Sequence, residues 1–274
     1  MNDIQIETTP PFLKWIGSKR WLKKEIGFLI DRVTFNNYHE PFLGSGAVFF
    51  ENTINSGYLN DLNEELIITY KVVQNSPNEL LMVIKGLPQN EEAFYQIREI
   101  VPDSDLEKAA RFIYLNKSSY NGLYRVNNDG KFNASYGKRK FDLSRLSSLI
   151  MNCSNRLQSC EITYGDYKDT LVNVRQGDIV FLDPPYSISE NKGYTRYTTS
   201  KFQMEEQFVL REYIESIKKI GAKYILTNEY NDNVITCFNE LNDRSIVATR
   251  KSVVSRTIED RVKYNEVIYT NIQF

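Results

Sequence analysis

At 274 residues, 41% hydrophobic and 25% charged with a net charge of −1, the chain can bury a full core and fits neither a membrane-spanning nor a disordered composition. Three cysteines (Cys153, Cys160, Cys237) without a CxxC pair, and one histidine, His39, give no zinc-ligand pattern, so no metal is expected. The N-terminus lacks a basic-then-apolar signal pattern, so a reduced, cytoplasmic location without a membrane partner is expected.

In chain order, Phe12–Trp15 and Gly17-Ser18 lead into a helix-like run from Lys19 to about Arg32. Residues 37–43 read as a short strand entering the loop Gly44-Ser45-Gly46, followed by a helix from Ala47 to about Asn55. A strand over Tyr58–Asp61 and a helix over Glu64–Val73 come next, and residues 77–117 carry helical periodicity throughout. The stretch 118–140, rich in Ser, Asn and Gly, is longer than an ordinary connection. After a helix over Leu143–Leu157, strands are expected at Glu161–Tyr164, Ile179–Leu182, Tyr224–Thr227, Ser245–Thr249 and Glu266–Ile272, with a helix at Met204–Ile220. The alternation predicts an α/β fold, with a mostly parallel sheet and helices on both faces. The length suits one large domain with an insertion, or two unequal domains.

The apolar run Ile179–Leu182 stops at Asp183-Pro184-Pro185-Tyr186, because two prolines cannot continue a central strand. Ligands of open α/β sheets bind at such a carboxyl edge. A carboxylate, a fixed turn with its carbonyl and an aromatic ring can together hold a flat base by its exocyclic amine. Gly44-Ser45-Gly46 lets backbone approach a ligand closely, and Asp61, seventeen residues on, ends the next strand, where an acid accepts ribose hydroxyls. The third glycine of a dinucleotide fingerprint is replaced by Phe49, which favours a ligand with one ribose and no pyrophosphate, S-adenosyl-L-methionine. Between Arg111 and Arg145 stand eight basic residues against two acidic ones, interleaved with Tyr120, Tyr124, Phe132, Tyr136 and Phe141. That mixture suits phosphate contact and base stacking, and equally a solvated surface loop. His39 alone could serve a histidine triad, and no GxSxG elbow accompanies it.

These segments, in this order, resemble the Dam family of DNA adenine-N6 methyltransferases, over most of the chain. Pro11-Phe12-Leu13-Lys14-Trp15-Ile16-Gly17-Ser18-Lys19 is similar to its N-terminal cofactor motif, and Glu40-Pro41-Phe42-Leu43-Gly44-Ser45-Gly46 to its glycine loop. Asn60-Asp61, Gly165-Asp166-Tyr167 and Asp183–Tyr186 resemble its ribose-binding acid, adenine-side turn and catalytic motif. The likeness implies a Rossmann-like methyltransferase sheet (residues 1–65 plus 158–274) and an inserted, mostly helical target-recognition domain (66–157) carrying a β-hairpin loop. It implies catalysis by Asp183, Pro184, Pro185 and Tyr186. Lys14, Trp15 and Lys19 would surround the methionine end of the cofactor, with Glu40, Phe42, Gly44, Ser45 and Gly46 in its loop, Asp61 on the ribose, and Asp166 and Tyr167 at the adenine. Tyr120-Asn121-Gly122-Leu123-Tyr124-Arg125-Val126-Asn127 resembles the hairpin with which GATC-specific members enter the major groove of duplex DNA. By that likeness Arg125 reads guanine, Tyr120 wedges beside the opened pair and Asn121 holds the orphaned strand, while Leu123, Asn127, Asn133, Ser135, Lys138 and Arg139 complete the DNA contact. The family usually has proline at Ser135 and arginine at Lys138. A monomer or weak dimer is expected. Open alternatives are another adenine-containing site, a glutamine amide, RNA base or cytosine-N4 substrate, and a DNA-binding module without catalysis.

Overall fold

A computed structural model describes residues 7–122, 124–127, 130–186, 204–251 and 263–274. Leu123 of the expected DNA contact lies outside them. The sheet has seven strands: β1 (Tyr38–Glu40), β2 (Gly57–Asp61), β3 (Cys160–Tyr164), β4 (Ile179–Leu182), β5 (Lys223–Glu229), β6 (Arg244–Lys251) and β7 (Lys263–Thr270). Their spatial order is β3-β2-β1-β4-β5-β7-β6. Strands β1 to β5 are parallel; β7 runs antiparallel to both β5 and β6. From β1 the chain first winds outward through β2 and β3, then crosses back to place β4 on the other side of β1. The order therefore reverses between β1 and β4, and the crevice at their carboxyl ends is where a ligand of such a sheet binds.

Side-chain alternation along the strands feeds two cores. Ile179 and Phe181 of β4, Ile225 of β5 and Ile268 of β7 pack into one; Val180, Leu182, Tyr224, Leu226, Val267 and Tyr269 pack into the other. The first core is built with α1 (Lys23–Ile30), α2 (Ala47–Glu51), α3 (Glu64–Asn75), α4 (Pro77–Gly86), α5 (Glu91–Glu99), α6 (Asp105–Ser118) and α7 (Leu143–Leu157). The second is built with α8 (Met204–Ile220) and α9 (Asp232–Asn239). Helices α3 to α7 share one continuous core with the sheet, since Leu66, Leu80, Phe94, Ile113 and Ile150 belong to the same cluster as Tyr38 and Leu59.

The boundaries differ from the sequence reading for local reasons. The helical stretch 77–117 is three helices, divided at Pro88 and Pro102, with α5 capped by Asn90 and α6 by a Ser104–Glu107 capping box. The run from Lys19 starts as a 3₁₀ turn to Leu22 before α1, and Pro41 stops β1 at Glu40. Helix α2 ends at Glu51, where Arg156 takes the carbonyls of Phe49, Phe50, Asn52 and Ile54. Helix α9, unread in the sequence, is capped by Asn231. Strand β7 begins at Lys263, three residues before the expected start. Among the described residues no helix is long and apolar enough to cross a membrane, and no group of three His, Cys, Asp or Glu could hold a metal ion.

Candidate active site

The loops after β1 and β3 are tied together at the carboxyl edge by Asn60 of β2. Its Nδ2 donates to the carbonyls of Pro41 (3.2 Å) and Gly165 (2.9 Å), while Thr163 donates to its Oδ1 at 2.9 Å. Beside it, Asp61 accepts from the Gly44 amide (2.9 Å) and the Asn63 amide (2.9 Å), one on each carboxylate oxygen. Burial pushes its carboxyl up, against the opposing pull of the Gly44, Asn63 and Leu62 amides. Gly44 has φ +48°, and a Cβ there would meet Trp15 Cδ1 at 2.9 Å, so only glycine lets the indole lie on this loop. Tyr70 donates to the Gly44 carbonyl at 3.2 Å, and Ser45 bonds Ser18 at 3.1 Å, joining the glycine loop to the N-terminal motif.

Glu40, 2% exposed at the end of β1, accepts the Tyr38 phenol at 2.8 Å. Burial pushes its carboxyl up to about 8, with the Asp183 and Asp61 charges adding and the Tyr38 hydrogen bond opposing. Phe42 and Tyr167 face each other with ring centroids 4.9 Å apart, and Tyr213 meets Tyr167 edge-on at 5.3 Å. Asp166 caps the 3₁₀ turn Tyr167–Asn173 by accepting the Lys168 amide at 2.9 Å.

Asp183 follows β4 directly. One of its oxygens, Oδ1, accepts from both Lys19 Nζ (2.7 Å) and Thr227 Oγ1 (2.9 Å). Lys19 is itself buried, donates to the Gly17 carbonyl at 2.7 Å, and lies 4.7 Å from the centroid of the Tyr186 ring. Tyr186 donates its phenol to Glu266 Oε2 at 2.6 Å, and Lys19 stands 3.7 Å from the same oxygen. Burial raises the Asp183 carboxyl; the Lys19 charge and hydrogen bond are the largest opposing pull, while the Glu266 charge adds to the rise. One ammonium thus serves two carboxylates behind the aromatic ring. Pro184 is buried and Pro185 exposed, so the turn presents its second proline to solvent.

The N-terminal motif also reaches the loop-rich segment. Trp15 stacks on Tyr124 (5.3 Å, 23°) and on Phe112 (6.4 Å, 24°). Asn116, fully buried, clasps Lys14 on both sides: Lys14 N donates to its Oδ1 at 3.0 Å, and its Nδ2 donates to Lys14 O at 2.8 Å and Gly122 O at 3.4 Å. The Lys14 stem lies over Gly122, whose φ of +70° no side chain would favour. The structure therefore brings Lys14 beside the Tyr120–Asn127 segment, and Trp15 between that segment and the glycine loop. Antiparallel bridges Ser119↔Tyr136 and Val126↔Phe132 fold the described parts of residues 119–136 back on themselves. Across this fold Arg125 donates to Asn133 Oδ1 (2.7 Å) and to its carbonyl (2.9 Å), and the Asn127 side chain accepts the Lys131 amide at 2.9 Å. Tyr120, 63% exposed, Asn121 (φ 56°), Arg125, Ser135, Lys138 (φ 54°) and Arg139 all stand at the surface.

Thr227, Glu266, Asn116 and the bridging role of Asn60 were not read from sequence. An acid directly before the apolar stretch Val267–Tyr269 of β7 was the available signal for Glu266; the other three carry none apart from their place in the fold. His39 has no part in the site. Its Nε2 lies 2.8 Å from Asp178, the residue before β4 and so at the opposite edge, and its ring stacks on Tyr58 at 4.8 Å.

A reversed-order parallel sheet with a glycine loop and an Asp-Pro-Pro-Tyr turn at its carboxyl edge is an enzyme architecture of methyltransferase type. The chain belongs to the D12 class N6 adenine-specific DNA methyltransferase family, which matches residues 15–258. It is 33% identical over 272 residues to the type II methyltransferase M1.LlaDCHI of Lactococcus lactis subsp. cremoris, covering 95% of each chain. It is 32% identical to the type II methyltransferase M.MjaIII of Methanocaldococcus jannaschii (88% of this chain, 91% of the relative). It is 30% identical to the DNA adenine methylase of Escherichia coli (strain K12), over 89% of each chain. The chain is therefore an adenine-specific DNA methyltransferase by family.

Proposed function

We propose that the protein methylates N6 of an adenine flipped out of duplex DNA, within GATC, using S-adenosyl-L-methionine. The observation that carries this reading is Asp183 at the end of β4, held through one oxygen by Lys19 and Thr227 beside the Tyr186 ring. The residues present fit the cofactor. Gly44 offers bare backbone, Asp61 is a fixed carboxylate at a strand end, and Phe42 with Tyr167 forms an aromatic wall for a purine. When bound, the cofactor supplies a methyl group activated by a positively charged sulfur.

The chain's own residues do the rest. Adenine N6 is a poor nucleophile because its lone pair is conjugated with the ring. With Oδ1 engaged by Lys19 and Thr227, Asp183 Oδ2 is the oxygen that accepts one amine hydrogen, and the Pro184 carbonyl accepts the other. Those bonds draw the amine toward a tetrahedral shape and hold its lone pair in line. Lys19 lies over one face of Tyr186, and the base stacks on the other. Stacking offsets the few kcal/mol, roughly, that flipping costs. The amine sheds its proton readily once methylated, so Asp183 works as acceptor and electrostatic stabiliser and no strong base is required.

On this reading residues 1–65 and 158–274 form the cofactor-binding domain, and 66–157 the target-recognition domain with its hairpin. Arg125 reads guanine and Tyr120 fills the vacated stack, with Asn121, Leu123, Asn127, Asn133, Ser135, Lys138 and Arg139 contacting DNA. The protein works in the cytoplasm of a bacterial or phage-infected cell, as a monomer or weak dimer. The GATC reading rests on the likeness of the Tyr120–Asn127 segment. Modification-sensitive sequencing of DNA from a methylation-free host expressing the chain tests it. N6-methyladenine confined to GATC is expected. Another adenine-containing word would reassign the loop, and an unmethylated genome with folded protein present would refute the activity.

A further inference from the structure

Strand β7 enters the sheet antiparallel beside β5, with Glu266 opposite Glu229 at the edge where the catalytic turn lies. Glu266 is 8% exposed, and a buried carboxylate is costly unless it is paired. Its side-chain partners among the described residues both belong to the proposed reaction site: the Tyr186 phenol at 2.6 Å and Lys19 Nζ at 3.7 Å. The two prolines fix the backbone before Tyr186, but they do not fix its ring, which turns about two side-chain bonds. A phenol bond at the far end pins the ring at a second point, and the same oxygen attracts the ammonium that lies over that ring. We propose that Glu266 is a positioning residue for methyl transfer: by accepting the Tyr186 phenol it fixes the plane on which the target adenine stacks. This rests on the methyl-transfer reading above.

The test is single-turnover methyl transfer to duplex DNA, with 2-aminopurine fluorescence at the target position and thermal melting measured in parallel. The variants are Glu266→Ala, Glu266→Gln, Tyr186→Phe and the Glu266→Ala/Tyr186→Phe pair. A charge-assisted hydrogen bond corresponds to roughly a 10- to 100-fold change. Glu266→Ala should therefore slow transfer by about that factor and alter the 2-aminopurine signal. Tyr186→Phe, which keeps the ring and loses the phenol, should do the same, and the double variant should be no slower than the worse single one. Glu266→Gln still accepts the phenol and should recover most of the loss. Losses that multiply in the double variant would overturn the proposal, as would a Glu266→Ala enzyme with lower melting temperature and an unchanged rate per folded molecule. Should Glu266→Ala fail to fold, Glu266→Gln with and without Tyr186→Phe makes the comparison, and independent effects there would equally overturn it. A wild-type protein that methylates no DNA would overturn the functional reading itself, and this inference with it.

Discussion

Glu40 ties stability to pH in a direction opposite to most carboxylates. Burial holds its carboxyl near about 8, against an ordinary 4.5. The folded state therefore binds a proton more tightly than the unfolded chain. That contribution is fully present below pH 4.5, declines as pH rises, and levels off above about 8. A separation of about 3.5 pKa units at about 1.4 kcal/mol each sets the full loss on the order of 5 kcal/mol. Glu40→Gln keeps an acceptor for the Tyr38 phenol and removes the titration. Urea unfolding at pH 5, 7 and 9 compares the two proteins. The stability difference should move toward the glutamine variant by several kcal/mol, roughly, between pH 5 and 9, most of it before pH 8. Parallel pH profiles for the two proteins would show that Glu40 is ionised in the folded state and that the reasoning fails.

Asp183→Ala should abolish methyl transfer while leaving cofactor affinity within about threefold, read by calorimetry beside a transfer assay; substantial turnover would remove Asp183 from its role. Gly44→Ala, which forces a Cβ to 2.9 Å from Trp15 at φ +48°, should weaken cofactor binding by ~10-fold or more. Arg156→Ala leaves the carbonyls of Phe49, Phe50, Asn52 and Ile54 without their shared donor and should cost about 2–4 kcal/mol in urea unfolding. If Lys138 and Arg139 meet phosphates, replacing each by alanine should lower the slope of log affinity against log salt by about one, with little change in sequence preference.

The parallel part of the sheet was legible chiefly at β4, an unbroken apolar run closed by Asp183-Pro184, and at the short apolar stretch of β5, while β2 was marked by Asp61 at its end and the glycine loop before it. The alternation predicts a mostly parallel sheet but not the order of its strands: no periodicity says that β7 slips between β5 and β6. That placement decides whether Glu266 reaches Tyr186, 80 residues earlier, so sequence alone assigns the acid no role. Asn116 was equally hidden, since a buried asparagine in a helix looks like any polar residue until the two backbone stretches it joins are known. Lys19 shows the reverse case. Its position in the N-terminal motif pointed to the cofactor, and folding also set its ammonium on Asp183, a contact that only tertiary structure supplies.

Trp15 touches the Gly44 backbone on one side and the Tyr124 ring on another. The glycine loop and the segment carrying Tyr124 thus share one aromatic plate. On the proposed reading neither can be remodelled in isolation: a substitution that changes the bases read must preserve a flat partner for the indole, and one that retunes the glycine loop is felt at Tyr124. If the segment reads bases as proposed, divergence in target sequence should be easiest at Arg125, Asn133 and Ser135, which lie beyond the plate, and hardest at Tyr124, which forms part of it.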